Sequence, residues 1–286
     1  MNAFHVNWTK PFFLRNRSLQ YFIEDYDLLT TILSALEWRK HNGNIKMVTD
    51  SVGAEYYQKM GLSHIWNLGI EISLDSISKD VSPLPFWAAG KIFALKKQDI
   101  PCIMLDTDFI VWKHIIKKLI NEQLVVAHRE NISAEIYPDK MFFIMKEKYK
   151  FPEIWDWSIL PCNTAFLYIS NKSLKDYYTL ESINFMQNLL FSKNITSEMV
   201  FAEQRILAMC AIAKNVNIKS LLDLNKMNSQ NAFTHIWGYK KELQLNKEKR
   251  YLFCLDCIKR IYNEFSDELA NLEKIESLNQ LVKTVL

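Results

Sequence analysis

Apolar and polar positions along this chain switch repeatedly between two periods. Residues 4–9, Phe-His-Val-Asn-Trp-Thr, alternate with period two and predict a first strand, closed by Pro11. Over residues 21–39 the period becomes helical, with Tyr26, Leu29, Leu33 and Leu36 on one face and Gly43 placed to stop the helix. Residues 45–50 predict a second strand, and Ser51 is placed to cap a helix over 52–60 that Gly61 ends. A short strand and a loop follow over 65–74, then a helix over 86–97 behind Pro83 and Pro85. Residues 100–106 are almost continuously apolar and end in an acid, the pattern of a strand buried on both faces.

The second half continues the alternation. Strands are expected over 124–128, 165–170, 216–222 and 232–236, with helices over 172–191 and 198–213 and a largely helical stretch from Leu252 onward. Residues 129–161 have weak periodicity and many rings. Alternating β and α predicts an α/β fold: a mostly parallel central sheet with helices on both faces, in which ligands bind beyond the carboxyl ends of the strands. No repeat or composition break divides the chain, so one domain over 1–250 is expected, with 251–286 as a helical extension packed on it. The extension carries an apolar stripe at Ile261, Phe265, Leu269, Leu272, Ile275, Leu278 and Leu281. Such a stripe docks on the domain, forms a homodimer or lies on a membrane, and its balanced charge disfavours the last.

Charge and cysteine content narrow the function classes. A formal net charge of +3, with cations scattered among acids, argues against a nucleic-acid partner. The N-terminus lacks the basic and apolar regions of a secretory signal, and no run approaches the roughly 20 apolar residues of a membrane span. A cytoplasmic location is therefore expected. Five cysteines fit reduced thiols better than a disulfide framework, and Cys254-x-x-Cys257 lacks the second pair that a zinc ribbon needs.

Two clusters carry candidate chemistry. Asp106 closes the buried strand and Asp108 lies two residues on, so both carboxylates face one side if the backbone stays extended. Oxygen donors at that spacing suit Mg²⁺ or Mn²⁺. A helix cap and a solvated acid would also explain the pair. The apolar Phe109-Ile110-Val111-Trp112 behind it favours a ligand role. Late in the chain, residues 234–241 contain His235-x-x-Gly238-x-x-Lys241. A neutral imidazole can complete a metal site, a glycine lets backbone approach a phosphate, and a lysine offers a point charge to a diphosphate. A packed histidine followed by a turn is the plainer account of that stretch.

In this order the motifs resemble those of the family-8 glycosyltransferases, the group of glycogenin and the lipopolysaccharide galactosyltransferases, and a bacterial branch of GT-A-like proteins. The resemblance spans residues 4–241 and implies a GT-A fold. It implies a Mn²⁺- or Mg²⁺-dependent hexosyltransferase with a nucleotide-diphospho-sugar donor, UDP-linked above all, acting with retention. It implies Asp106, Asp108 and His235 as metal ligands and Lys241 with Gly238 at the diphosphate. Lys91 would reach the donor, Asn163 would lie near its sugar, and Glu203 and Gln204 would be the catalytic pair beside that sugar. Thr9 and Asp50 would flank the nucleoside. Ala165 stands where the family has Gly, Glu203 where it has Asp, and no Lys-Pro-Trp ending follows Lys241. The acceptor, a glycan, lipid-linked sugar or protein, stays open. Two rivals remain: a non-catalytic nucleotide-sugar or carbohydrate binder, and a sugar-phosphate nucleotidyltransferase. The glycine-free stretch after the first strand, residues 8–13, disfavours the second.

Overall fold

A computed structural model describes residues 1–16, 20–223, 230–236 and 238–286. In chain order its strands are β1 (Asn2–Asn7), β2 (Ile45–Thr49), β3 (Ile70–Ile72), β4 (Cys102–Leu105), β5 (Phe109–Val111) and β6 (Leu124–Arg129). β7 (Ile144–Met145), β8 (Cys162–Ile169), β9 (Leu189–Phe191), β10 (Lys219–Ser220) and β11 (Phe233–His235) follow. The helices are α1 (Lys10–Arg15), α2 (Asp25–His41), α3 (Ser51–Lys59), α4 (Ala89–Lys97), α5 (Lys172–Asn188) and α6 (Ile195–Val200). They end with α7 (Ile206–Ala213), α8 (Lys240–Leu245), α9 (Lys247–Glu264), α10 (Leu269–Leu272) and α11 (Glu276–Val285).

Seven strands form the central sheet in the order β10-β6-β8-β4-β1-β2-β3. Its pairings are parallel except those of β8, which runs antiparallel to both β4 and β6. The reversal has a local cause. Residues 129–161, between β6 and β8, hold no crossover helix, and a chain that returns from the end where it left can pair only antiparallel. The first residues of β8 therefore lie beside the carboxyl ends of β4 and β6.

Alternation along the strands sorts the core into two layers. Ala3, Met47, Ile103 and Leu105 face α2 and the C-terminal helices, while Phe4, Val48, Met104 and Leu167 face α4, α5 and α7. The α/β architecture with helices on both faces is thus present. Each fully buried Leu, Ile or Phe contributes about 1.5–3 kcal/mol. α2 is buried almost all round because it sits between the sheet and α9. Two of its polar side chains find partners in the core: Thr31 donates to Asp27 O at 2.8 Å, and Glu37 Oε1 meets Arg260 at 3.2 Å. Gly43, at φ +107°, turns the chain out of α2 as expected.

Several boundaries move. α3 is capped by Asp50, whose carboxylate accepts from Gly53 N at 3.0 Å, and Ser51 is its first residue. Pro11 does more than end β1: it sits in the first turn of α1, where no N–H is required. The helix expected over 172–191 stops at Asn188, and β9 pairs instead with β7. The helix expected over 198–213 begins at Ile195 and contains a wide turn, Phe201–Arg205, in which Ile206 N–H donates to Phe201 O five residues back.

The C-terminal stripe faces inward. Ile261, Leu269, Leu272, Ile275, Leu278 and Leu281 share one core with α2, so the chain itself covers them. Arg250 fixes the start of α9 to Glu24 and Asp25, at 2.7 Å each. Cys254 and Cys257 are buried on α9, and burial raises both thiols, Cys257 to about 12, so both are packing groups. Among the described residues no helix is long and apolar enough to cross a membrane.

His5, in the middle of β1, ties the sheet to α2 and Trp66 within one of these layers. Trp66 Nε1–H donates to its Nδ1 at 3.2 Å. Its Nε2 lies 3.0 Å from Ser34 Oγ, which itself donates to Phe109 O at 2.7 Å. Only the neutral imidazole with the proton on Nε2 satisfies this chain. Burial pushes His5 down from 6.5 to about 3. As pH falls below 6.5 the unfolded chain takes the proton and the folded chain refuses it, so stability drops continuously toward pH 3. The slope reaches at most about 1.4 kcal/mol per pH unit. Urea unfolding at pH 7 and pH 5 is expected to show this loss in the wild type, and a shallower loss in His5→Gln. Equal slopes in the two proteins would remove His5 from the account.

Candidate active site

The ends of β1, β4 and β6 and the start of β8 open on one cavity of about 830 Å³. Asp106 leaves β4 with its N–H held by Ala165 O at 2.8 Å, and its own carbonyl accepts from Phe109 N at 3.0 Å. The backbone between the two acids is therefore a tight turn and not the extended segment expected. The turn still delivers both carboxylates to the cavity. β11 lies antiparallel on β5 with His235 opposite Phe109, and Ile236 N–H donates to Asp108 O at 3.3 Å. As a result, ligand atoms of Asp106, Asp108 and His235 all lie within 4.8 Å of one another.

Each acid has a lysine. Lys91 Nζ is 2.6 Å from Asp106 Oδ1 and also pairs with the Glu203 carboxylate. Lys240 Nζ is 3.0 Å from Asp108 Oδ2 and 2.9 Å from Asp27 Oδ1. Burial lowers both lysines, but the acids outweigh it and hold both ammonium groups above the usual range. Burial raises Asp106, and Asp108 and Glu203 add to the rise against the pull of Lys91. Burial also raises Asp108, but the Lys240 ammonium beside it outweighs burial and lowers that carboxyl below its usual range. His235 is pushed down to about 4 by burial, so near neutrality its lone pair is free of a proton.

The wide turn between α6 and α7 reaches the same cavity, where Lys91 links Glu203 to Asp106. A turn of this kind is frequent at functional sites because it displaces side chains from the helical repeat. Here it places Glu203 and Gln204 side by side at the cavity. Thr164 Oγ1 donates to Glu203 Oε1 at 2.5 Å, and Tyr178 OH donates to Glu203 O at 2.7 Å. Tyr137 OH donates to Gln204 Oε1 at 2.5 Å. Asn163, at the start of β8, donates to Glu130 Oε1 at 3.0 Å and accepts from Ala165 N at 3.1 Å. Gly90 lets α4 close on β1: a Cβ there would lie 2.7 Å from Trp8 Cβ, and this approach brings Lys91 to the cavity.

Seven of the residues expected from sequence thus line the cavity: Lys91, Asp106, Asp108, Asn163, Glu203, Gln204 and His235. Thr9, Asp50, Gly238 and Lys241 do not. The Thr9 N–H and hydroxyl both donate to the Asp50 carboxylate, at 2.9–3.0 Å, and Asp50 also caps α3. The pair is a buried clasp that fixes the end of β1, and Asn7 and Trp8 line the cavity in its place. Gly238 and Lys241 are exposed, and Lys240 reaches the acids. Trp237 lies outside the described residues. The helical phase of α8 carried a signal for this, because Lys240 lies three residues before the buried Leu243 and so shares its inward face.

The ring-rich stretch 129–161 mostly serves packing. Trp157 stacks on Phe201 at 5.4 Å, Trp155 is buried, and the exposed Asp156 holds Ser158. Tyr137, from the same stretch, is the ring that faces the cavity.

No curated protein matches the chain. Among solved structures, the PaToxG glycosyltransferase superposes at a TM-score of 0.41 with 12% identity, over 99% of this chain and 86% of that one. The glycosyltransferase GlyE of Streptococcus pneumoniae TIGR4 gives 0.39 and 13%, over 80% of this chain and 46% of that one. Mouse xyloside xylosyltransferase 1 gives 0.39 and 9%, over 77% and 85%. These likenesses are too distant to carry a function across. A family model matches almost the whole chain, over residues 1–276, and by that match the protein belongs to DUF6734, a family of unknown function.

Proposed function

We propose that this protein is a metal-dependent glycosyltransferase of the GT-A type, taking a sugar from a nucleotide diphosphate, UDP above all, with retention. The observation that carries the reading is the convergence of Asp106, Asp108 and His235 in one cavity that Glu203 and Gln204 also line. The donor set fits a divalent cation such as Mn²⁺ or Mg²⁺: two hard carboxylates and an imidazole that burial keeps neutral. A cation there supplies positive charge against the departing diphosphate.

The chain's own residues do the rest. Lys240 and Lys91 add fixed charge on the same side, where preorganised groups cost no reorganisation during reaction. Glu203 and Gln204 face the sugar, whose anomeric carbon becomes electron-poor as its bond to the diphosphate breaks. Asn163, braced by Glu130 and Ala165, presents its amide beside them. Asn7 and Trp8 form the wall for the nucleoside. The acceptor is a glycan, a lipid-linked sugar or a protein.

One observation favours a second reading, a non-catalytic nucleotide-sugar binder: Glu203 is already engaged by Lys91 and Thr164. The deciding experiment is a thermal-shift panel of UDP, GDP, CDP and their sugars, each with Mn²⁺, Mg²⁺ or EDTA. A ligand at 100 times its Kd adds about 2.7 kcal/mol of stability. A rise with one nucleotide that EDTA removes supports a metal-dependent donor site, and release of free sugar from that donor then selects the enzyme over the binder. A folded protein that shifts with no nucleotide refutes both.

A further inference from the structure

The sequence offers no pattern for residues 129–161, yet one part of this stretch is held as firmly as a strand. Arg205, buried on the wide turn directly after Gln204, donates through Nη1 to Tyr137 O at 2.6 Å and Pro138 O at 3.4 Å. Its Nη2 donates to Trp157 O, and its guanidinium lies 5.6 Å from the centre of the Trp157 ring. Ser197 Oγ, on α6, donates to Glu135 O at 2.8 Å. The wall of the cavity at 135–138 is therefore fastened to the helix that carries Glu203 and Gln204, and the two surfaces are built as one piece.

The fastening closes on itself through a side chain. Tyr137, whose backbone Arg205 holds, returns its hydroxyl to Gln204 Oε1 at 2.5 Å. Burial raises the phenol well above its usual range, so it stays a donor. With Oε1 committed to Tyr137, the other end of the amide, its N–H₂, is turned away from the phenol. Gln204 is half-buried and lines the cavity, and with Oε1 taken by Tyr137 its N–H₂ is the end left for a ligand. Without Tyr137 the amide could turn over and offer an acceptor in place of a donor.

We propose that Tyr137 is the positioning residue of this site: through Gln204 Oε1 it sets the amide so that an N–H donor meets an oxygen of the donor sugar. The proposal rests on the glycosyltransferase reading and adds which end of Gln204 does the work. It makes Tyr137 act on the sugar and not on the nucleoside, which the glycosyltransferase reading sets against Asn7 and Trp8.

The test uses the full chain with Mn²⁺, the nucleotide sugar that gives the greatest thermal shift, and UDP alone. In Tyr137→Phe, kcat for donor hydrolysis is expected to fall about tenfold or more, with the Kd of UDP within about twofold of wild type. In a Gln204→Ala background the same substitution is expected to add less than about twofold, because Tyr137 acts through that amide. Gln204→Glu keeps an oxygen for Tyr137 but removes the N–H₂, and it is expected to lose at least as much activity as Tyr137→Phe. Wild-type kcat in Tyr137→Phe or Gln204→Glu overturns the proposal. So does an equal penalty for Tyr137→Phe with and without Gln204. A wild-type protein that neither binds nor hydrolyses any nucleotide sugar sinks the glycosyltransferase reading itself, and the assignment with it.

Discussion

Asp106→Ala and His235→Ala are each expected to abolish metal-dependent nucleotide binding without unfolding the protein. The two substitutions remove different donor types from one cluster whose ligand atoms lie within 4.8 Å. Loss of groups that merely orient a metal ligand costs 10–100-fold in metal affinity, so loss of a ligand itself is expected to cost at least about 100-fold. The fold should survive for electrostatic reasons. Removing the Asp106 carboxylate leaves Lys91 paired with Glu203, and removing the His235 ring leaves Asp108 paired with Lys240. Without metal, both variants are expected to melt within a few degrees of wild type, and the rise produced by Mn²⁺ with UDP is expected to vanish. Wild-type nucleotide affinity in both variants would end the assignment of this cluster as the metal site. A melting point that collapses without metal would show that the three side chains are chiefly structural.

The sequence made this cluster legible for a specific reason. Asp106 follows an apolar strand, and an acid there breaks so strong a pattern that it stands out in one dimension. The mostly parallel sheet was legible for the same reason, since β4 is buried throughout. Less visible were features that depend on chain reversal or helical phase. That β8 runs antiparallel follows from the missing crossover helix, and weak periodicity over 129–161 only hinted at that absence. The exchange of Lys241 for Lys240 is a rotation of about 100° on α8, fixed by the burial of Leu243. Thr9 and Asp50 sit at the ends of adjacent strands, as a nucleoside contact would. Yet Asp50 is spent on the cap of α3 and on Thr9, a local competition that residue types alone do not reveal. Tyr137 had no signal apart from the general abundance of rings.

Lys91→Met should be the most destabilising single change at the site, and its cause can be isolated. Lys91 is the shared counter-charge of Asp106 and Glu203, with side chains 12%, 27% and 4% exposed. Methionine fills nearly the same volume but leaves two acids facing each other in a poorly solvated place. Breaking a buried pair from one side costs about 3–5 kcal/mol, because the remaining charge is uncompensated. For a chain of this size that is a fall in melting temperature on the order of 10 °C. The deficit should shrink as pH is lowered toward 5: with the lysine gone, the folded state gains by protonating an acid that the unfolded chain would leave ionised. Adding Glu203→Gln to Lys91→Met removes the second charge and should recover most of the loss, so the two effects oppose each other and do not add. Mn²⁺ is expected to recover part of it too, by placing positive charge beside Asp106. If Lys91→Met melts like wild type, or Glu203→Gln deepens its defect, Lys91 is not the electrostatic keystone of the cavity. A recovery by the neutral glutamine, with the affinity for UDP in the presence of Mn²⁺ still reduced relative to Glu203→Gln alone, would separate the two duties of the residue: holding the acids together in the folded chain, and charging the cavity for its ligand.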